Sequence, residues 1–170
     1  MRHHRLSDPA RSRILPAVLS GLLLTSAVPA QAVPGGAAEA FRLLAGSWRG
    51  GGQIRLSDGS RERISCRGSY SLRGEALAIG IRCASPSYNI DMHSVLNGSG
   101  DRVWGHWEER NFSADGNVNG RSSGSHISLS LNGTISGSMS ISVSGSSHSV
   151  NIAAGGGSGL QGVSISFSKG

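Results

Sequence analysis

From residue 46 to residue 168 apolar side chains recur on alternate positions, and glycine, serine or charged residues fill the places between them. A period of two is the signature of strands that bury one face. The runs between turn residues number about ten. Trp48, Ile54 and Leu56 share the inward face of the first, and Ile64, Cys66 and Tyr70 that of the second. Leu77, Ile79 and Ile81 mark the third, and Tyr88, Ile90, Met92 and Leu96 the fourth. Val103 and Trp107 mark the fifth, and a weak sixth surrounds Val118. Ile127, Leu129 and Leu131 then give way to Met139, Ile141 and Val143, to Val150 and Ile152, and to Val163, Ile165 and Phe167. Turn signals at strand-length intervals predict an all-β antiparallel meander. Closing it into a single up-and-down β-barrel of about eight to ten strands removes the edges that serine-faced strands would leave open. Ahead of the first strand, Ala37 to Leu44 reads as a short helix that carries Phe41 and Leu44 as a lid or plug.

The hairpin around Gly74-Glu75 sets a register without further help. Counting outward pairs Leu72 with Leu77, Tyr70 with Ile79, Gly68 with Ile81 and Cys66 with Cys83, and it leaves Arg67 and Arg82 on the other face. Glycine at the first loop position suits a type II′ turn. Directly opposed residues lie within the Cα range of a disulfide. The chain has two cysteines, and their spacing is not that of a CxxC redox motif. We therefore expect a Cys66–Cys83 staple rather than a metal or redox pair.

An exported chain makes that bond the default, and residues 1–32 read as a secretory leader. Arg2, Arg5, Arg11 and Arg13 precede a largely apolar run from Ile14 to Val28, and Ala30-Gln31-Ala32 offers a small-residue cleavage site. Cleavage after Ala32, with no cysteine there for a lipid anchor, predicts a periplasmic or secreted domain over residues 33–170 with no transmembrane span. The full chain carries a formal +6. Loss of the leader leaves 12 cationic and nine acidic side chains, which removes most of the support for nucleic acid as a partner. An outer-membrane barrel would also alternate, but its outer face is an apolar band. Here the alternate positions are mostly Ser, Asn and Gly.

At "LLAGSWRGGGQIRLSDGSRERISC" and "IRCASPSYNID" the chain resembles small uncharacterised exported proteins of alphaproteobacteria, rhizobial ones in particular, over essentially all of the segment after the leader. More distantly, Gly46-x-Trp48 after a short helix resembles the opening of the calycins, the lipocalin, avidin and nitrobindin-like barrels. That resemblance implies a barrel closed near Trp48 with an internal site for a small, mostly apolar ligand. The nitrobindin-like members hold haem through a histidine in the final strand. Residues 163–168 contain none, so no cofactor is expected.

Three candidate sites follow. Trp48, Tyr70, Tyr88, Met92 and Trp107 point inward beside Gly50, Gly52, Gly68, Ser94 and Gly105, which leaves either a ligand cavity or a filled core. His148 shares the inward parity, as a polar anchor of the cavity or, preferably, as a rim residue touching water. A four-residue turn from Gly98 to Asp101 would pair His93 with His106 and Asp91 with Glu108, side chains of a kind that zinc accepts, although a solvated polar face is the expectation and no metal is assigned. Arg49, Arg55, Arg63, Arg67 and Arg82 face outward from three neighbouring strands and suit anionic lipid or polymer of the envelope. Catalysis has little support. Gly120-Arg121-Ser122-Ser123-Gly124 matches GxSxG but lacks the strand-to-helix setting of a nucleophile elbow. Glu109 is a lone inward carboxylate, and no enzyme is expected.

Overall fold

The computed structural model describes residues 35–157 and 159–170, and the proposed leader lies outside them. One helix, α1 (Ala37–Leu44), precedes ten strands: β1 (Gly46–Leu56), β2 (Arg61–Arg73), β3 (Ala76–Ala84), β4 (Asn89–Ser99), β5 (Arg102–Glu109), β6 (Ala114–Ser123), β7 (His126–Gly133), β8 (Gly137–Ser144), β9 (Ser147–Ala154) and β10 (Leu160–Lys169). Each strand pairs antiparallel with its neighbours in sequence, and β1 pairs with β10 to close the barrel. The expected fold class and the expected plug are both present.

Alternation decides which way each strand faces. Ile64, Cys66 and Tyr70 of β2 are buried, while Arg63, Arg67 and Ser69 between them are exposed. Along β7, Ile127, Leu129 and Leu131 are buried among exposed serines. The wall is thus apolar inside and polar outside, the reverse of a barrel set in lipid. No helix among the described residues is long and apolar enough to cross a membrane.

The β2–β3 hairpin has the expected register, with Cys66 opposite Cys83, Tyr70 opposite Ile79 and Leu72 opposite Leu77. Gly74 has φ 61°, which supplies the left-handed first turn position that a side chain would resist. The cysteines are bonded, with Cα atoms 4.1 Å apart and a separation of 17 positions in sequence. Closing a loop of that length stabilises by about 3 kcal/mol on the chain-entropy model. The oxidised protein should gain two hydrogen atoms in mass on reduction and melt at a lower temperature. Free thiols in protein purified without reductant would contradict the bond.

The two ends of the barrel differ. At one end α1 is drawn inward: Ala37 N–H donates to the Gly100 carbonyl at 2.8 Å, and Gly35 accepts from Gly124. Ala37, Ala40, Phe41 and Leu44 are at most 1% exposed, and so are Trp48, Leu77, Val103, Ile127 and Phe167 of the surrounding wall. Among the described residues nothing covers the other end in this way. There the inward residues Leu56, Ile90, Met92, Met139, Ile152 and Val163 are only half-buried.

Candidate functional site

Four rings meet at the plugged end. The Trp48 indole N–H donates to the Leu44 carbonyl at 2.7 Å, which ties the first strand to the end of the helix. His148 of β9 lies edge-on to Trp48 at 4.4 Å and stacks on Phe167 at 4.6 Å. Its Nε2 is 3.1 Å from the Tyr70 hydroxyl of β2. Parity put His148 inward, but the rim position expected for it is wrong. It is 3% exposed, beneath the helix and away from water. Burial pushes the imidazole down to about 4 and the Tyr70 hydroxyl upward. His148 Nδ1 has no hydrogen-bond partner. This cluster is the packed floor of the barrel.

The open end is built from other elements. A turn in which Ser85 N–H donates to the Tyr88 carbonyl sets Tyr88 just ahead of β4, not within it. The Tyr88 ring faces that of Phe112, in the turn after β5, at 6.2 Å. Glu62 of β2 accepts from the Ser85 hydroxyl at 2.6 Å, and that bond holds its carboxyl below the ordinary range. Glu109 accepts from Asp91 N–H at 2.6 Å and from Phe112 N–H at 2.7 Å. A buried carboxylate with both oxygens occupied by backbone donors is a latch between β4 and the next turn. Met92 lies directly opposite it, and Trp107 sits two residues deeper on β5.

The six inward residues expected to share one site therefore divide. Trp48, Tyr70 and His148 belong to the sealed floor, and Tyr88, Met92 and Trp107 to the open half. The reason is the alternating direction of the meander: β1 starts at the plug, whereas β4 starts at the mouth. Several inward glycines leave no gap. A Cβ on Gly68 would lie 2.9 Å from the Tyr70 ring, and one on Gly50 equally close to Phe167. Those places are filled by neighbours.

The outer wall also departs from expectation in one register. β4 and β5 meet through Gly100-Asp101, with Ser99 opposite Arg102, so His93 faces Glu108 and His106 faces Val95. The expected pairing of His93 with His106 and of Asp91 with Glu108 is wrong, because β4 runs two residues further, to Ser99, and the turn is two residues long. Asp91 instead takes bonds from Arg82 at 3.2 Å and His93 at 3.0 Å. Burial works to raise that carboxyl, but the two bonds outweigh it and hold it low. Among the described residues no three His, Cys, Asp or Glu side chains are placed to hold a metal.

The arginines are arranged more closely than parity alone implies. Arg49, Arg67 and Arg82 form one cross-strand row over β1, β2 and β3, which ends on Asp91 of β4. Arg55, Arg61, Arg63 and Arg73 share the same outer wall, and no carboxylate faces outward from these three strands. Two shallow depressions of about 520 and 510 Å³ also lie on the outside. One runs over the serine and asparagine rows of β6 to β10, the other across β2 to β5 between His93, Val95 and His106. The hydroxyl of Ser122, in the GxSxG match, is buried in β6 with no hydrogen-bond partner.

No family model and no curated protein matches the chain. Among solved structures it is similar to the crystal structure of Rv2717c from M. tuberculosis, at 16% identity and a TM-score of 0.59, over 81% of this chain and 99% of that one. The likeness is one of fold.

Proposed function

We propose that the protein is an exported, non-enzymatic barrel that holds a small, mostly apolar molecule at its open end. One observation carries this reading. Inward apolar residues are sealed from water at the helix end and half-exposed at the other, where Tyr88, Ile90, Met92, Met139, Ile152 and Val163 face the lumen or its rim. An apolar mouth left wet is unfavourable, and a ligand that covers it recovers about 25 cal/mol per Å² before association costs. The buried disulfide fits an oxidising compartment.

A second reading rests on the arginine row. Directly opposed like charges destabilise a sheet, and Arg49 and Arg67 have no ion-pair partner among the described residues. An anionic lipid surface of the envelope would offset that repulsion at about 1 kcal/mol per arginine.

Titration with the neutral dye N-phenyl-1-naphthylamine, then with acidic vesicles at two salt concentrations, separates the two readings. We expect saturable dye binding that falls severalfold in Tyr88→Ala and Met92→Ala, with both variants folded. Tyr70→Ala should lower stability instead, because Tyr70 is part of the floor. Salt-sensitive vesicle binding without dye uptake would sink the first reading and favour the second.

A further inference from the structure

Among the described residues three buried side-chain polar atoms lack a hydrogen-bond partner, Ser122 Oγ, His148 Nδ1 and Trp107 Nε1, and of these Trp107 belongs to the open half. Its indole N–H is buried without a hydrogen-bond partner, and the residue is 9% exposed. Trp48, by contrast, spends its N–H on the Leu44 carbonyl. A buried donor left unpaired costs about 1–3 kcal/mol. Phenylalanine would supply a comparable aromatic ring at that position without the cost. The N–H therefore calls for an acceptor that the chain itself does not provide.

The donor points at a part of the wall almost without side chains. A Cβ placed on Gly116, directly across from Trp107, would lie 2.9 Å from Nε1. Gly116 is paired with Gly133, and Gly137 and Ala154 are opposed on the next two strands. Ala114, opposite Glu109, completes a run of small inward residues along the open rim from β6 to β9. Large apolar groups bound it: Leu131 beside Gly137, and half-exposed Ile135 in the turn between β7 and β8. Glu109 stands two residues from Trp107 on the same face of β5, with both oxygens taken by backbone N–H groups. A carboxylate so placed offers no donor and repels an anion in a medium of low dielectric.

We infer that the molecule held at the open end is uncharged and mostly apolar and carries one hydrogen-bond acceptor, such as a ketone or ester carbonyl, which the Trp107 N–H receives over the glycine sector of β6 and β7. This deepens the ligand-binding reading and rests on it. The acceptor relieves an unpaired donor.

Matched probes test the claim on the oxidised protein labelled with [15N]tryptophan: acetophenone against ethylbenzene, and benzophenone against diphenylmethane. The ketones should bind about tenfold tighter than their hydrocarbon partners and move the Trp107 indole proton downfield, with the Trp48 and Trp104 signals unchanged. Trp107→Phe should lose the tenfold preference for ketones over their hydrocarbon partners. The anion 4-benzoylbenzoate should bind more weakly than benzophenone. Equal affinity within each pair, with the Trp107 signal unmoved, would overturn the inference and leave apolar binding standing. Failure of all four neutral probes to bind would overturn both.

Discussion

Gly52→Ala should lower the melting temperature by roughly 10 °C or prevent closure of the barrel altogether, although it adds one methyl group. The physical reason lies at the seam. A Cβ on Gly52 would sit 1.8 Å from the Ser164 carbonyl oxygen and 2.8 Å from the Ile165 Cα, both on β10. These are backbone atoms of the strand that closes the barrel against β1, so no side-chain rotation relieves the clash. Overpacking of a well-filled site costs about 1–3 kcal/mol and more where backbone must move. For a domain of this size each kcal/mol is worth a few degrees. Gly156→Ala is the control, since a Cβ there meets nothing within 4 Å. Thermal unfolding followed by circular dichroism reads both variants. If Gly52→Ala melts with the parent, β1 does not approach β10 as closely as described.

Acid should destabilise the protein through His148. The imidazole is held near 4 by burial, well below the ordinary value of 6.5. Between those two values the unfolded chain binds a proton that the folded protein refuses. Stability from this group is therefore complete above pH 6.5 and is lost progressively as pH falls toward 4, by up to about 3 kcal/mol. Below that the folded protein protonates as well, and the loss levels off. The paired carboxylates Glu62 and Asp91 work in the same direction only lower, as pH falls through the carboxylate range. Urea unfolding at pH 7.5, 6, 5 and 4.5 measures the slope. His148→Gln retains a polar partner for Tyr70 and should abolish the slope between pH 6.5 and 4.5. An identical slope in that variant would assign the acid sensitivity elsewhere.

Much of the fold was legible because period-two alternation records burial directly. Ten strands, the helix over Ala37 to Leu44 and the Cys66–Cys83 pairing all follow from spacing and from the turn at Gly74. The floor was not legible. Tyr70 and His148 are 78 residues apart and lie on β2 and β9, with β1 and β10 between them. Their meeting depends on barrel closure and strand stagger, which no local pattern states. The division of the aromatic set has a simpler cause. Parity says which residues point inward but not at what height, and Tyr88 and Trp48 share a parity at opposite ends. The slip between β4 and β5 arose because both a four-residue turn at Gly98 and a two-residue turn at Gly100 preserve alternation. Glu109 stands out in the sequence only as a lone inward carboxylate, and its role as a latch rests on backbone donors that no residue pattern reveals.

Nine of the ten strand pairings join neighbours in sequence, and only β1 with β10 spans the chain, from Trp48 to Lys169. In kinetic terms the hairpins form locally within microseconds, whereas the final pairing must first meet the entropy of closing the whole stretch from β1 to β10. The disulfide lies within one of the fast hairpins and shortens that last loop only by the stretch between its own cysteines. Until the loop closes, the molecule is a curled sheet with two bare edges, and each edge is a template for another copy. The hazard in the life of this protein is thus concentrated in a single event, the docking of its last strand on its first.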